Sequence, residues 1–210
     1  MSKQERAGRT RRLLIEAAAE EFACHGYAGT SLHRISSVAG VTIGALTFHF
    51  SVKSALADAV CEHGCELTNL AVRHAMRRGR PPLETVVDIT RALARLLNGR
   101  SAVRAAARLS RERPGLHVGW YESWIDEVRQ LLLRARREGS LRPDHDPEAV
   151  TVLVCCLAAG LEVTTTPACA PTEPGSWNAP DRLDEVWTVV ASGITPPDAT
   201  PNGVRRGNAG

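Results

Sequence analysis

Long apolar runs are missing. Nowhere in the 210 residues do about eighteen apolar side chains follow one another, so no membrane span is expected. Lysine is almost absent: Lys3 and Lys53 stand alone against abundant arginine, a bias that suits a GC-rich coding sequence. No strand signal of any length and no internal repeat is present. A glycine-rich phosphate loop, a nucleophile elbow and a metal motif are lacking too. His117, His145 and the carboxylates near them have no defined arrangement. The alternative of a small helical hydrolase or transferase therefore has little to stand on, and neither metal nor cofactor is expected. The N-terminus MSKQERAGRTRR leads into an amphipathic helix instead of a short apolar signal core, so a cytoplasmic location is expected. The six cysteines, Cys24, Cys61, Cys65, Cys155, Cys156 and Cys169, are then expected to be reduced. Cys61, His63 and Cys65 invite a metal reading, since the two thiols share a helical face. They lack the paired C-x-x-C or His spacings of a structural zinc site, and burial as small apolar side chains accounts for them better.

The hydrophobic content of 43% is enough for a substantial core in one or two compact units. The net charge of +3 is modest but unevenly spread. Lys3, Arg6, Arg9, Arg11 and Arg12 face Glu5 alone in the first twelve residues. Such a basic arm suits phosphate contacts, although a solvated, disordered terminus has the same composition.

Residues 31–53, SLHRISSVAGVTIGALTFHFSVK, carry the most information. Leu32, Ile35, Val38 and Ala39 form a helical stripe from Ser31 onward. Gly40 breaks that helix, and Thr42 caps a second one running to His49. Gly44 and Ala45 would let this second helix press close to a groove, while Leu46 and Phe50 hold its inner side to a core. The unit is a helix-turn-helix, whose second helix reads bases in the major groove. Thr42 and His49 are candidates for phosphates, Thr47 for a base edge or a thymine methyl, and Ser31 and His33 are further candidates.

Around this unit the pattern is all-α, about nine helices. The first spans roughly Arg6 to Cys24 and ends at Gly26. A long one runs from about Ser51 to Arg77 with Leu56, Ala59, Val60, Leu67 and Leu70, and breaks at Gly79 and Pro81-Pro82. Others cover Pro82 to Asn98-Gly99, Ser101 to Arg111 (before Pro114-Gly115), His117 to Glu138 with Trp120 and Trp124, Pro147 to Thr165, and Asp181 to Ser192. Asp146-Pro147-Glu148 is a helix start by capping residue, proline and acid together. The helix it opens is apolar almost all round and must be covered on more than one side. The division expected is 1–52 for a DNA-binding head, 53–195 for a ligand-binding and dimerisation unit, and 196–210 for a disordered tail.

The segment G-A-L-T-F-H-F with Lys53, the preceding T-S-L-H-R-I-S-S-V-A-G-V-T and the upstream helix ending F-A-C-H-G-Y resemble the head of TetR-type regulators over about fifty residues. The resemblance implies a homodimer joined through the last two helices, a palindromic operator on double-stranded DNA, and a phosphate-binding role for Lys53 beside Arg9. K-Q-x-R-A-x-x-T, Trp124, Cys156, Gly160 and R-L-x-E-x-W at Arg182 to Trp187 narrow it to the γ-butyrolactone receptors of streptomycetes. That group represses antibiotic-biosynthesis and regulatory genes until a small diffusible lactone, butenolide or antibiotic-type signal releases it from DNA. Trp124 then lines the effector pocket, with Trp120, Leu93, Leu97, Val154, Leu157 and Leu161 as further lining. Four positions depart from the pattern: Ile43 for lysine, Thr47 for tyrosine, Gly64 for glutamine and Leu161 for a hydroxyl residue. The last two remove polar partners for a lactone, as in pseudo-receptors that respond to an antibiotic or intermediate instead.

Overall fold

The computed structural model describes residues 3–113, 119–165 and 182–197. Among them are nine helices and no strand: α1 Lys3–His25, α2 Leu32–Val38, α3 Ile43–His49, α4 Lys53–Met76, α5 Pro82–Gly99, α6 Ser101–Glu112, α7 Ile125–Arg137, α8 Pro147–Thr165 and α9 Leu183–Ile194. Pro114-Gly115, His117, the side chain of Lys3, residues 166–181 with Cys169, and residues 198–210, expected as a disordered tail, lie outside the described residues.

Local chemistry sets the breaks. Gly26, Gly40, Gly79 and Gly139 follow α1, α2, α4 and α7 with positive φ of 65–74°, a conformation a Cβ disfavours. Ser31 Oγ accepts the Arg34 N–H and Thr42 Oγ1 accepts the Ala45 N–H, each at 3.2 Å. Caps of this kind stabilise a short helix by about 1 kcal/mol.

Two hydrophobic clusters organise the chain. The head cluster joins Leu14, Ala18 and Phe22 of α1, Ile35 of α2, Leu46 and Phe50 around α3, Leu56, Ala57, Ala59, Val60 and Cys61 of α4, and Ala102, Ala105 and Leu109 of α6. It therefore extends well past residue 52. The second cluster gathers Val72, Leu93, Leu97, Trp120, Trp124, Leu132, Val154, Leu161 and Trp187 from the later helices. Helix α6 belongs to both, with Val103, Ala106 and Ala107 facing the second. It sits so close to α4 that a Cβ on Gly64 would lie 2.5 Å from the Ala102 carbonyl oxygen and 2.5 Å from the Ala106 Cβ.

The fold corrects several expectations. Helix α1 begins at Lys3 and so takes the basic arm into the helix. Val38 and Leu70, expected inward, are exposed. In α2 the inner position beside Ile35 is filled by Ser36, whose hydroxyl donates to the His33 carbonyl. Helix α7 starts at Ile125, not near His117. Trp120 to Trp124 form turns, because the Trp120 N–H goes to Ser110 Oγ and its carbonyl accepts Ser123 Oγ. The spacing of 120, 124 and 128 imitates one helical stripe across that junction. Finally, α8 is long and apolar enough to cross a membrane by length and composition. Among the described residues it packs on α5, α6 and α7, through a face that carries Val150, Val154, Ala158 and Leu161.

Candidate DNA-reading surface and effector core

The reading surface grows from the α2–α3 corner. Leu46 and Phe50 are buried, which turns the opposite side of α3 outward. At about 100° per residue, Phe48 lies roughly opposite the mean direction of Leu46 and Phe50. Its ring is 83% exposed. Gly44 is exposed and Ala45 half-buried beside it, while Thr42, Thr47 and Ile43 are exposed and His49 is half-buried. Nothing lies within 4 Å of a Cβ placed on Gly44. Ser31, His33 and Arg9 are exposed as well. The residue that sequence reasoning missed is Phe48. Its signal was available: in a seven-residue helix with Leu46 and Phe50 inward, residue 48 has only solvent to face.

Lys53 stands differently from its expected role. Its Nζ donates to the Tyr27 carbonyl at 2.8 Å and to the Thr30 carbonyl at 2.9 Å, and lies 4.3 Å from the Tyr27 ring centroid. Two of its three N–H groups thus hold the α1–α2 turn. The same turn is gripped from the other side by the end of α6. Glu112 Oε2 accepts the Tyr27 N–H at 2.6 Å, Arg108 donates to the Ala23 carbonyl at 3.1 Å, and the Arg113 guanidinium lies 4.7 Å from the Tyr27 ring centroid. These contacts satisfy donors and acceptors that the end of α1 leaves open. Arg113 also pairs with Asp58 of α4 at 2.7 Å. A Cβ on Gly26 would sit 2.5 Å from Glu112 Oε1, so a larger residue there would push that side chain from its place.

The effector core surrounds two indoles. Trp120 and Trp124 are fully buried, edge to face at 5.6 Å, with Tyr121 5.0 Å and 6.0 Å from them. Leu93, Leu97, Val154 and Leu161 are buried in the same cluster, and Leu157 packs on it half-buried. Trp120 Nε1 donates to Thr68 Oγ1 at 2.9 Å. Among the described residues, the Nε1 atoms of Trp124 and Trp187 and the hydroxyl of Tyr121 are buried without a hydrogen-bond partner. Each such group costs about 1–3 kcal/mol. Burial, reinforced by Glu162, pushes the Tyr121 hydroxyl up to about 12, so it stays protonated and able to donate. The last turn of α6 also reaches this core: Ser110 Oγ takes the Trp120 N–H at 2.7 Å, and Arg111 pairs with the buried Glu162 of α8 at 2.5 Å.

Two further features bear on assembly and chemistry. Val152, Cys156, Gly160 and Val163 make an exposed row on α8, and Val189 is 73% exposed on α9. Burial, reinforced by Cys65, raises the Cys61 thiol to about 12, and Cys65 is raised mainly by burial. Among the described residues no three His, Cys, Asp or Glu side chains gather as metal ligands.

Residues 14–60 match the bacterial regulatory proteins of the tetR family. The A-factor receptor protein of Streptomyces griseus is 28% identical over 200 residues, covering 94% of this chain and 68% of that protein. A crystal structure of a γ-butyrolactone receptor (ArpA-like protein) is similar at 31% identity and a TM-score of 0.74, over 92% of this chain and 91% of that one. CprB of Streptomyces coelicolor, solved in complex with its biological operator sequence, is similar at 32% identity and a TM-score of 0.72, over 92% of each chain.

Proposed function

The chain belongs to the TetR family of bacterial regulators, in its γ-butyrolactone receptor branch, and from that premise we propose which of its parts meet operator, effector and second subunit. It is a ligand-responsive transcriptional repressor acting on double-stranded DNA, of the kind that controls antibiotic production. The reading head, residues 1–52, meets the operator through Thr42, Gly44, Ala45, Thr47, Phe48 and His49, flanked by Arg9 and Ser31. Residues 53–195 hold the effector and the partner subunit. Lys53 serves the operator indirectly, by fixing the turn at Tyr27 and Thr30. The exposed rows of α8 and α9 pack against those of a second copy, so the two heads meet a palindrome. On this reading the chain performs no catalytic step and works with DNA in the cytoplasm.

One observation carries the effector assignment: the Trp124 Nε1, fully buried and unpartnered in an apolar core. With the Tyr121 hydroxyl as a second such donor beside it, this cluster of Leu93, Leu97, Val154, Leu157 and Leu161 suits a mainly apolar molecule that carries acceptor oxygens, such as a lactone or ketone. Gly64 favours the pseudo-receptor alternative. The tight α4–α6 contact leaves no room for a glutamine side chain there, so a polar anchor used by receptors is missing. The effector then has fewer polar groups facing α4 than a γ-butyrolactone with its hydroxyl.

The test follows operator release. Purified protein bound to a labelled operator duplex is titrated with synthetic γ-butyrolactones and with fractionated culture extract, followed by fluorescence anisotropy. Release is expected with an extract fraction and lost in Trp124→Phe, while both proteins bind the duplex equally well. Undiminished release from Trp124→Phe would place the effector elsewhere.

A further inference from the structure

We propose that the reading helix recognises its operator through thymine methyl groups, using Phe48, Ile43 and Thr47 as an apolar reading set. The inference rests on the regulator reading and concerns how the sequence of the DNA is read. From Ile35 to Val52, eighteen consecutive residues contain no Arg, Lys, Asn, Gln, Asp or Glu. Those side chains make the paired hydrogen bonds that identify guanine, adenine and cytosine in the major groove. Of the five hydroxyls in this stretch, Ser37 and Ser51 lie outside α3, and the other three have local roles. Thr42 Oγ1 accepts the Ala45 N–H, Thr47 Oγ1 donates to the Gly44 carbonyl at 3.2 Å, and Ser36 is buried. His49 remains as a polar side chain, half-buried and edge-on to the Phe48 ring at 5.3 Å.

Cations around the head have contacts within the fold. Arg34 pairs with Glu21 and His25, Lys53 holds two carbonyls, and Arg11 lies 5.2 Å from the Phe50 ring centroid. Beside Thr42, Thr47 and His49, the surface that α3 offers a groove is therefore mainly apolar. Phe48 is 83% and Ile43 36% exposed, with Gly44 and Ala45 between them too small to hold the ring off the groove floor. Among base edges in the major groove, the thymine C5 methyl is the apolar partner. Ile43 and Phe48 are about 7.5 Å apart along the helix axis and about 140° apart around it, with Thr47 between them, so the set fans across the outer side of the helix.

The experiment uses the full-length protein. A random duplex library is selected against it, and each thymine of the enriched sequence is then replaced by deoxyuridine, which lacks only the methyl. Binding is expected to weaken at least fivefold at one or more thymines. Phe48→Ala should bind the parent duplex more weakly and lose that uracil sensitivity, while its circular dichroism spectrum stays that of the parent protein. An enriched duplex that tolerates uracil within twofold at every position would overturn this inference alone. If no duplex were enriched, the regulator reading would fall and this inference with it.

Discussion

Phe48 and Trp124 are both large aromatic side chains, and each sits in an incomplete setting of the opposite kind. The reading head buries Leu46 and Phe50 but leaves the Phe48 ring in water. The effector core buries Trp124 completely but leaves its N–H without an acceptor. Folding alone favours neither: apolar surface is stabilised by burial, and a buried donor is stabilised by an acceptor. On the proposed reading, each site is completed by a partner of matching chemistry, a groove with methyl groups in one case and a small molecule with an acceptor in the other. Between them the last turn of α6 touches both. Arg108, Glu112 and Arg113 hold the α1–α2 turn, while Ser110 and Arg111 hold Trp120 and Glu162.

Truncation of the two rings should separate the two sites most widely. Trp124→Ala should lower unfolding stability by about 3–5 kcal/mol, as removal of a buried aromatic does. Phe48→Ala should change it by about 0.5 kcal/mol or less, since an exposed side chain contributes little to the fold. Urea denaturation of both variants checks this. Equal losses would mean that Phe48 packs in solution and that the contrast between the two sites is false.

A second pair concerns the α6 grip. Gly26 and Gly79 both have positive φ, 69° and 65°, but only Gly26 faces a carboxylate where its Cβ would be. Gly79→Ala should cost about 1 kcal/mol through backbone strain alone. Gly26→Ala adds displacement of Glu112 from the Tyr27 N–H, a charge-assisted bond at a half-exposed site, for a total of about 2–3 kcal/mol. Thermal unfolding of the two variants gives the difference. If the two losses agree, the grip contributes nothing to stability. Glu112→Ala should cost about 1 kcal/mol and speed hydrogen exchange at the Tyr27 amide, which mass spectrometry reads directly.

Much of the head could be read from the sequence because its signals are local. Ser31 and Thr42 cap within three residues, Gly40 ends α2, and Leu46 and Phe50 mark the inner side of a short helix. The effector core was legible as a set of apolar side chains, but its geometry was not. The start of α7 depends on Ser110, ten residues before Trp120, and no periodicity carries that contact. Lys53 shows the same limit. A lysine at a helix start looks free to reach phosphate until the fold brings the carbonyls of Tyr27 and Thr30 beneath it. Gly64 looks like a lost polar side chain in the sequence, and the structure shows a close helix crossing in its place.

The smallest expected effect is on thiol chemistry, where stability should not change and only reactivity should. Cys61 is buried in the head cluster with its thiol raised to about 12. At pH 8 about one molecule in ten thousand then carries the reactive thiolate, so Ellman's reagent should not label it until the protein unfolds. Cys156 is exposed on the α8 row that is assigned to the partner subunit. Its labelling should therefore depend on protein concentration, fast when dilution separates the subunits and slow when they associate. Cys156→Ser removes that phase and identifies it. Labelling of Cys156 at one rate across the dissociation range would show that α8 does not lie in the interface, and the second copy would have to cover another face.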